Sequence, residues 1–394
     1  MVGLRRPVPP QRSAPRPAEA TSLRPDAAWP EDSSPMSGPS SSALHRACDG
    51  AVGRLAPSPT GAQHVGNART YLLAWLSIRS RGGRVILRIE DLDSPRVKPW
   101  ATSQAMEDLR WLGLDWDEGP DVTGLHAPYL QTQRLPLYRA ALEQLIAAER
   151  VYPCTCSRTD IASAASAPHA SQEGPVYPGT CAHRRARHAQ ELAASQPQGH
   201  GQPHAIAASP HGGVPFAWRL RVRRTTRSFE DRLRGVEVAD MARELGDFVV
   251  AKADGTPAYQ LAVVVDDHAM GITEVLRGDD LVPSTFRQLE LYEFFGWQPP
   301  AFVHVPLVVG PDGRRLAKRH GDTRLATLRA QGVQPQRLVG LLAWSCGLLD
   351  RPQPVLPSEL LTTFDLGRLH RQPWVFQPEH QAWLVDRHAP TPAR

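Results

Sequence analysis

A loop rich in proline and glycine, between a strand pattern and a helix pattern, constrains this chain more than any other stretch. Residues 51–56 are mostly apolar, which predicts a short buried strand. Pro57 and Pro59 then fix φ, and Gly61 permits a sharp reversal of the backbone. Apolar residues recur at helical spacing beyond Asn67, so we expect a helix to begin near that residue. The N–H groups and the positive dipole end of such a helix start suit a chain of phosphates.

The residues at this turn resemble the first signature of class I aminoacyl-tRNA synthetases. His64-Val65-Gly66-Asn67 matches the signature, and Arg-x-Ala-Pro-Ser-Pro-Thr-Gly before it is similar to the glutamate-specific branch. The resemblance implies that His64 contacts the phosphates of ATP and that Gly66 lets the adenine lie flat on the backbone. The class normally ends this signature in a second histidine, and the glutamate branch tolerates the asparagine found here. The implied fold is a Rossmann-type catalytic domain of the α/β class, with an inserted zinc-bearing subdomain.

An acidic run follows the second predicted strand. Residues 84–89 have the pattern of a buried strand, and Glu90 comes directly after it. Open α/β sheets bind ligands beyond the carboxyl ends of their strands. The run Arg-Ile-Glu-Asp-Leu-Asp is typical of glutamate-specific synthetases, which implies that Glu90 contacts the amino group of the substrate. A carboxylate is the natural partner of an ammonium group.

Two later residues match positions that hold the amino acid in this branch, and these are Tyr259 and Arg277. A guanidinium can bind a side-chain carboxylate through two hydrogen bonds, and a phenol adds one directional hydrogen bond. Glutamine would bind poorly, because its amide cannot accept both bonds. Between them, Val263–Val265 is predicted to be a buried strand. By resemblance, three residues of the first loop complete the glutamate site: Arg54, Ala56 and Ser58.

A basic loop near residue 318 resembles the second signature of the class, Lys-Met-Ser-Lys-Ser. The chain has Arg-Leu-Ala-Lys-Arg there, and Lys318 keeps one lysine of the motif. We expect Lys318 to bind ATP and to stabilise the pyrophosphate as negative charge moves onto it. Ala317 replaces the serine of the motif, which affects turnover more than binding.

Three of the five cysteines lie close together: Cys154, Cys156 and Cys181. A cluster of this kind in a cysteine-poor chain predicts tetrahedral coordination of a structural zinc ion rather than a disulfide framework. Chemistry alone leaves the fourth ligand open, and imidazole is the commoner partner of thiolates, which favours His183. However, Cys-x-Cys followed by Tyr-x₃-Cys resembles small paralogues within the glutamate branch, whose zinc takes a tyrosine oxygen. This resemblance implies Tyr177 as the fourth ligand, with His183 in reserve.

The chain is long enough for two or three domains, and its charge restricts its partners only weakly. It has 394 residues and a formal charge of +5, which permits a polyanionic partner. No stretch has the apolar length of a membrane span, and the amino terminus lacks the apolar core of a secretory signal. We therefore expect a cytoplasmic monomer with no membrane partner.

The predicted organisation is a catalytic domain interrupted by an insertion. A low-complexity loop at about 186–213 lies within the insertion, and the last segment leaves no room for the helical anticodon-binding region of glutamyl-tRNA synthetases. The expected segments are a disordered extension (1–49), two catalytic halves (50–112 and 244–312), the zinc-bearing acceptor-type subdomain (113–243), the second-signature loop with helices (313–350) and a short tail (351–394).

The resemblance implies a two-step reaction. L-Glutamate is activated by ATP, with Mg²⁺ expected beside the phosphates, to give glutamyl-adenylate without any need for tRNA. In the small paralogues, the glutamyl group then passes to the queuosine nucleoside of tRNA(Asp). Two alternatives stay open. One is a truncated glutamyl-tRNA synthetase that charges a tRNA 3′ end, and the other is an inactive zinc-containing module that binds RNA or nucleotides.

Overall fold

A computed structural model of the chain describes residues 50–92, 97–157, 159–161, 176–183, 215–314, 316, 322–386, 388 and 391–392. These residues belong to a unit that spans residues 47–394. Three predictions fall outside the described residues: the extension at 1–49, the loop at 186–213 and the role of Lys318 in the second signature.

Eleven strands and eight α-helices have both ends within the described residues. None of these helices has the length and apolarity that crossing a bilayer requires. The strands are β1 (Val52–Leu55), β2 (Arg84–Leu87), β3 (Val151–Cys154), β4 (Ala217–Leu220), β5 (Thr226–Asp231), β6 (Gly235–Asp240), β7 (Phe248–Ala251), β8 (Glu274–Gly278), β9 (Ala301–Val305), β10 (Val308–Val309) and β11 (Trp374–Val375). The helices are α1 (Val65–Arg79), α2 (Ala101–Trp111), α3 (Leu135–Ala147), α4 (Tyr259–Ala269), α5 (Val282–Phe295), α6 (Leu325–Ala330), α7 (Pro335–Ser345) and α8 (Pro378–Val385).

Parallel strands position the site. β1 pairs with β2 in parallel, and β8 pairs with β9 in parallel. The two pairs meet where Thr273, one residue before β8, donates its N–H to the carbonyl of Val52 at 2.9 Å. A hairpin of β5 and β6 extends the second pair, giving the order β6-β5-β9-β8. The carboxyl ends of these parallel strands therefore lie along one edge, where open α/β sheets bind ligands.

Helix α1 is buried over most of its surface, because it packs against β1 and β8 on one side and against α7 on another. An apolar surface all round a helix is expected when the helix lies inside a domain. This packing fixes the amino-terminal end of α1, with His64 as its N-cap, beside the carboxyl ends of the strands.

The prediction of a strand at Val263–Val265 was wrong, because these residues lie within α4. The three valines are almost completely buried, and α4 packs against α3, α5 and β7. A short apolar run that is buried on all sides has no helical periodicity, so local pattern does not distinguish it from a buried strand. Tertiary burial here overrides the β propensity of valine.

The composition of the segment after residue 350 predicted only a tail. This segment contributes β11 and α8 to the apolar core that contains α1. β11 pairs in parallel with β10, and Trp374 lies opposite Val308. Trp374 and Trp383 are both 5% exposed and belong to the same apolar cluster as α1. The close fit extends to the backbone, since a Cβ at Gly340 of α7 would overlap the carbonyl oxygen of Gln353.

Candidate active site

A cavity of about 360 Å³ lies beyond the carboxyl ends of β1, β2 and β8. Its lining brings together residues from five separate segments of the chain. Every residue predicted to bind glutamate, and two of the three predicted to bind ATP, lines this cavity: Arg54, Ala56, Ser58, His64, Gly66, Glu90, Tyr259 and Arg277. The third ATP-binding residue, Lys318, lies outside the described ranges.

The start of α1 is held by a pair of reciprocal hydrogen bonds. The Nδ1 atom of His64 accepts the N–H of Gly66 at 3.1 Å, and the Oδ1 atom of Asn67 accepts the N–H of His64 at 3.2 Å. Asn67, which departs from the second histidine of the class, thus completes a capping box. Because Nδ1 accepts, the neutral imidazole carries its proton on Nε2. A Cβ at Gly66 would lie 3.0 Å from the His64 ring, so glycine keeps this arrangement open.

Arg277 is a buried cation without an anionic partner among the described residues. Its Nε donates to His304 Nε2 at 3.1 Å, and its Nη2 donates to Thr285 Oγ1 at 2.7 Å and Gln288 Oε1 at 2.9 Å. The Nη1 atom has no hydrogen-bond partner, although the residue is only 4% exposed. Burial lowers the pKa of Arg277, and the nearby Tyr259 only partly opposes this effect. A buried guanidinium with an unused N–H group is suited to binding an anion.

Glu90 lies at the end of a buried network of charges. Arg88 Nη2 is 3.0 Å from Glu90 Oε1, and Arg88 Nη1 is 2.6 Å from Asp267 Oδ1. Arg54 Nε also approaches Asp267 Oδ1, at 3.5 Å. Burial raises the pKa of Glu90, while Arg88 and Arg54 act against this rise. The arginines therefore help to keep the buried carboxylate ionised, in the form that binds an ammonium group.

The four predicted zinc ligands lie together, away from this cavity. The sulfur atoms of Cys154, Cys156 and Cys181 are all within 4.8 Å of one another. Tyr177 Oη lies 3.4 Å from Cys154 Sγ and 3.7 Å from Cys156 Sγ. A tetrahedral ion with Zn–S bonds of about 2.3 Å separates its ligands by roughly 3.8 Å, so the donor set fits zinc. Arg219 donates to Cys154 Sγ at 3.2 Å.

The reserve ligand, His183, is exposed and is not part of the three-cysteine cluster found among the described residues. Burial opposes ionisation of Cys181, but hydrogen bonds from Tyr177, Thr155 and the other cysteines outweigh it and lower the pKa of the Cys181 thiol to about 7. A thiol with a pKa near neutrality is readily deprotonated, as metal binding requires. The geometry therefore favours Tyr177 over His183 as the fourth donor.

A sequence profile of the family described as tRNA synthetases class I (E and Q), catalytic domain, matches residues 51–381. The chain belongs to this family. It is thus a ligase of the aminoacyl-tRNA synthetase type with a class I catalytic domain, which confirms the predicted resemblance and the α/β fold class. The inserted zinc-bearing subdomain remains a prediction.

Individual relatives of this synthetase are similar over most of their length. The glutamyl-Q tRNA(Asp) synthetase of Rhodopirellula baltica is 50% identical over 344 residues, which cover 82% of this chain and 96% of the relative. The protein of the same name from Symbiobacterium thermophilum is 52% identical over 322 residues, covering 82% and 94%. The crystal structure of the glutamate-tRNA synthetase from Elizabethkingia anophelis superposes with a TM-score of 0.69 at 28% identity, covering 85% of this chain and 70% of that one.

Several residues of the synthetase site were not found from the sequence. The buried network around Glu90 depends on Arg88 and on Asp267, both less than 3% exposed. One signal was present, since two consecutive aspartates directly follow the apolar run of α4. Buried carboxylates require partners, so that position could have suggested an ion pair. No local signal indicates that the partner is Arg88, because the two residues are 179 positions apart.

Proposed function

We propose that this synthetase activates L-glutamate with ATP in the absence of tRNA and transfers the glutamyl group to the queuosine nucleoside of tRNA(Asp). The observation that carries the first half is Arg277, which lines the same cavity as Glu90 and whose buried Nη1 atom has no hydrogen-bond partner. The acceptor is inferred from the relatives of that name, which are about half identical to the chain over more than nine-tenths of their length.

The cavity contains a cationic group for the side-chain carboxylate of glutamate and an anionic group for its ammonium. Arg277 Nη1 and the phenol of Tyr259 bind the side-chain carboxylate, and Glu90 binds the ammonium group. Arg54, Ala56 and Ser58 complete the wall. Burial raises the pKa of Tyr259, so its hydroxyl stays protonated and can donate. Glutamine is disfavoured because its amide NH₂ would face a guanidinium that only donates.

In the first step, an oxygen of the glutamate α-carboxylate attacks the α-phosphorus of ATP, supplied as its magnesium complex. The bond from that phosphorus to the bridging oxygen breaks, and pyrophosphate leaves with the electron pair. His64 donates Nε2–H to a phosphate oxygen, and the amino-terminal end of α1 adds its N–H groups and dipole. Lys318 is proposed to neutralise the leaving pyrophosphate. The described residues that flank its loop, Leu316 and Asp322, line a second cavity of about 740 Å³ together with His64.

In the second step, a hydroxyl group of the queuosine nucleoside attacks the carbonyl carbon of the glutamyl-adenylate. An ester bond forms, the bond from the carbonyl carbon to the phosphate oxygen breaks, and AMP leaves while the hydroxyl proton passes to solvent. Positioning of the two reactants supplies most of the acceleration in a transfer of this kind.

We also propose that a structural zinc ion is held by Cys154, Cys156, Cys181 and Tyr177. When bound, the ion would cross-link the strand that carries Cys154 to the helical turn that carries Cys181. We infer in addition that this zinc belongs to an inserted subdomain at 113–243, which separates catalytic halves at 50–112 and 244–312, and that the second-signature region spans 313–350.

The function is tested with labelled glutamate, ATP and total tRNA isolated with and without queuosine. Glutamate-dependent exchange between pyrophosphate and ATP without tRNA is expected, and it tests activation alone. Nuclease digestion then locates the label. Label on the queuosine nucleoside supports the proposal, whereas label on the 3′-terminal adenosine identifies a truncated glutamyl-tRNA synthetase. Absence of exchange, with RNA or nucleotide binding retained, identifies an inactive binding module.

A further inference from the structure

A chain of buried hydrogen bonds leads from Asp231 through His304 to Arg277. Asp231 Oδ2 lies 2.6 Å from His304 Nδ1, and His304 Nε2 accepts from Arg277 Nε at 3.1 Å. Asp231 is 1% exposed and His304 is 0% exposed, and neither is among the residues that line the substrate cavity. We propose that Asp231 and His304 are positioning residues that hold Arg277 in the orientation that binds the substrate carboxylate. This inference rests on the proposed role of Arg277 in glutamate binding.

The strand order brings these three residues together. Arg277 on β8 and His304 on β9 are direct partners in the parallel register. Asp231 ends β5, which lies on the other side of β9 and pairs with it at Phe302. Adjacent strands therefore present an acid, an imidazole and a guanidinium in a row. The side chains need no long loop to meet, so the row is as rigid as the sheet itself.

The chemistry of the groups fixes every proton in the row. Arg277 Nε only donates, so His304 Nε2 must accept and the imidazole proton must be on Nδ1. This N–H donates to the carboxylate of Asp231, which in turn accepts the N–H groups of Leu233 at 3.0 Å and Arg234 at 2.9 Å. A carboxylate accepts at all these positions, whereas an amide would not. The carboxylate holds His304 in one tautomer, and burial, which lowers the pKa of His304 to about 4 against the effect of Asp231, keeps the imidazole neutral.

The row determines which nitrogen of Arg277 faces the substrate. Nε is bound to His304, and Nη2 is bound to Thr285 and Gln288. The Nη1 atom is left, and it has no partner although it is buried. If His304 no longer accepted, Nε would lose its anchor and the guanidinium could rotate away from the substrate carboxylate. The loss would appear in glutamate binding, while ATP binding would be unaffected.

Two conservative substitutions at His304 each remove a different hydrogen bond of the row formed by Asp231, His304 and Arg277. In His304→Asn, the amide NH₂ can replace Nδ1–H toward Asp231, but Arg277 Nε loses its acceptor. In His304→Gln, the longer side chain can place its oxygen where Nε2 lies and keep that acceptor. We expect the KM for glutamate in pyrophosphate exchange to rise about 10- to 100-fold in His304→Asn, and His304→Gln to restore most of this loss. The KM for ATP should change by less than about threefold in both variants, because the proposed ATP contacts are elsewhere in the cavity.

Asp231→Asn tests the same row from its other end. The amide must give its oxygen to the N–H groups of Leu233 and Arg234, so its NH₂ faces His304. The histidine proton then moves to Nε2 and opposes the N–H of Arg277. We expect the KM for glutamate to rise as in His304→Asn, and this variant decides the question if His304→Asn does not fold. The control His126→Gln, at a histidine that is bonded to Glu118 and lies outside the cavity lining, should leave the KM for glutamate unchanged.

The outcomes separate this inference from the proposed function. Wild-type protein without glutamate-dependent exchange refutes the proposed function before any variant is measured. Active wild-type protein, together with an unchanged KM for glutamate in His304→Asn and Asp231→Asn, overturns the positioning role alone. Equal losses in His304→Asn and His304→Gln, with the KM for ATP raised in parallel, would show a general packing effect and also overturn it.

Discussion

Replacing Arg277 by alanine should nearly abolish glutamate activation while leaving ATP binding intact. Arg277 is 4% exposed, and no described carboxylate pairs with it, so the substrate carboxylate would be its anionic partner. Removing one member of a buried ion pair costs about 3–5 kcal/mol, because the other charge remains buried without compensation. At 1.4 kcal/mol for each factor of ten, this corresponds to a loss of about 10² to 4 × 10³ in kcat/KM for glutamate.

The assay is glutamate-dependent exchange between pyrophosphate and ATP, with both substrates varied. The matched control is Arg69→Lys, at an arginine that is 2% exposed but bonded to Pro306, Ser345 and Cys346 instead of lining the cavity. This control should change the KM for glutamate by less than about threefold, a difference below 1 kcal/mol. Near-normal glutamate affinity in Arg277→Ala would show that the carboxylate binds elsewhere and would refute the assignment of the cavity.

Three further predictions concern stability and metal binding. Burial raises the pKa of Asp108 from 3.8 to about 6 and leaves both carboxylate oxygens without a hydrogen bond, so its ionisation destabilises the fold increasingly between about pH 4 and pH 6 and in full above pH 6. Asp108→Asn should therefore raise the free energy of unfolding at pH 7.5 by up to about 3 kcal/mol, and this gain should vanish as the pH falls to 4. Urea denaturation of the variant and the wild type at both pH values measures the difference. Metal analysis of protein purified without chelator should find about one zinc per chain. The zinc should be lost in Cys181→Ser and kept in the matched variant Cys346→Ser. Less than about half a zinc per chain in the wild type would contradict the site. Gly340→Ala should lower the free energy of unfolding by roughly 1–3 kcal/mol, because the new methyl group would overlap the backbone of Gln353. This loss should exceed the gain from the higher helix propensity of alanine. An unchanged thermal midpoint would show that the contact is looser than described.

The candidate site could be anticipated where function depends on short stretches of sequence. His64 and Gly66 lie within one turn of each other, and Glu90 directly follows a strand, so local order fixes their relation to a helix start or a strand end. Tyr259 and Arg277 carried no such local pattern and were assigned by their match to the glutamate branch. All five residues line the same cavity. Their common location follows from the parallel arrangement of the strands, which the class I resemblance implied.

The parts that could not be anticipated depend on the order of strands that are distant in sequence. Asp231, Arg277 and His304 lie on three neighbouring strands in the order β5-β9-β8, which differs from their order along the chain. No spacing within the sequence reveals that a histidine on β9 would face an arginine on β8. The error at Val263–Val265 has the same origin, since burial by α3, α5 and β7 decided the conformation of α4.

The segment after residue 350 supports the wall of the cavity, although its composition predicted only a tail. The N–H of Trp374 donates to the carbonyl of Leu307 at 3.1 Å, and the N–H of Phe376 donates to Val309 at 2.8 Å. Leu307 and Val308 line the substrate cavity. A two-residue strand leaves almost no trace in a hydrophobicity pattern, yet its ladder bonds fix the backbone of the cavity wall. Because the buried tryptophans belong to the same apolar core as α1, the segment after residue 350 is a structural part of the unit that carries the cavity.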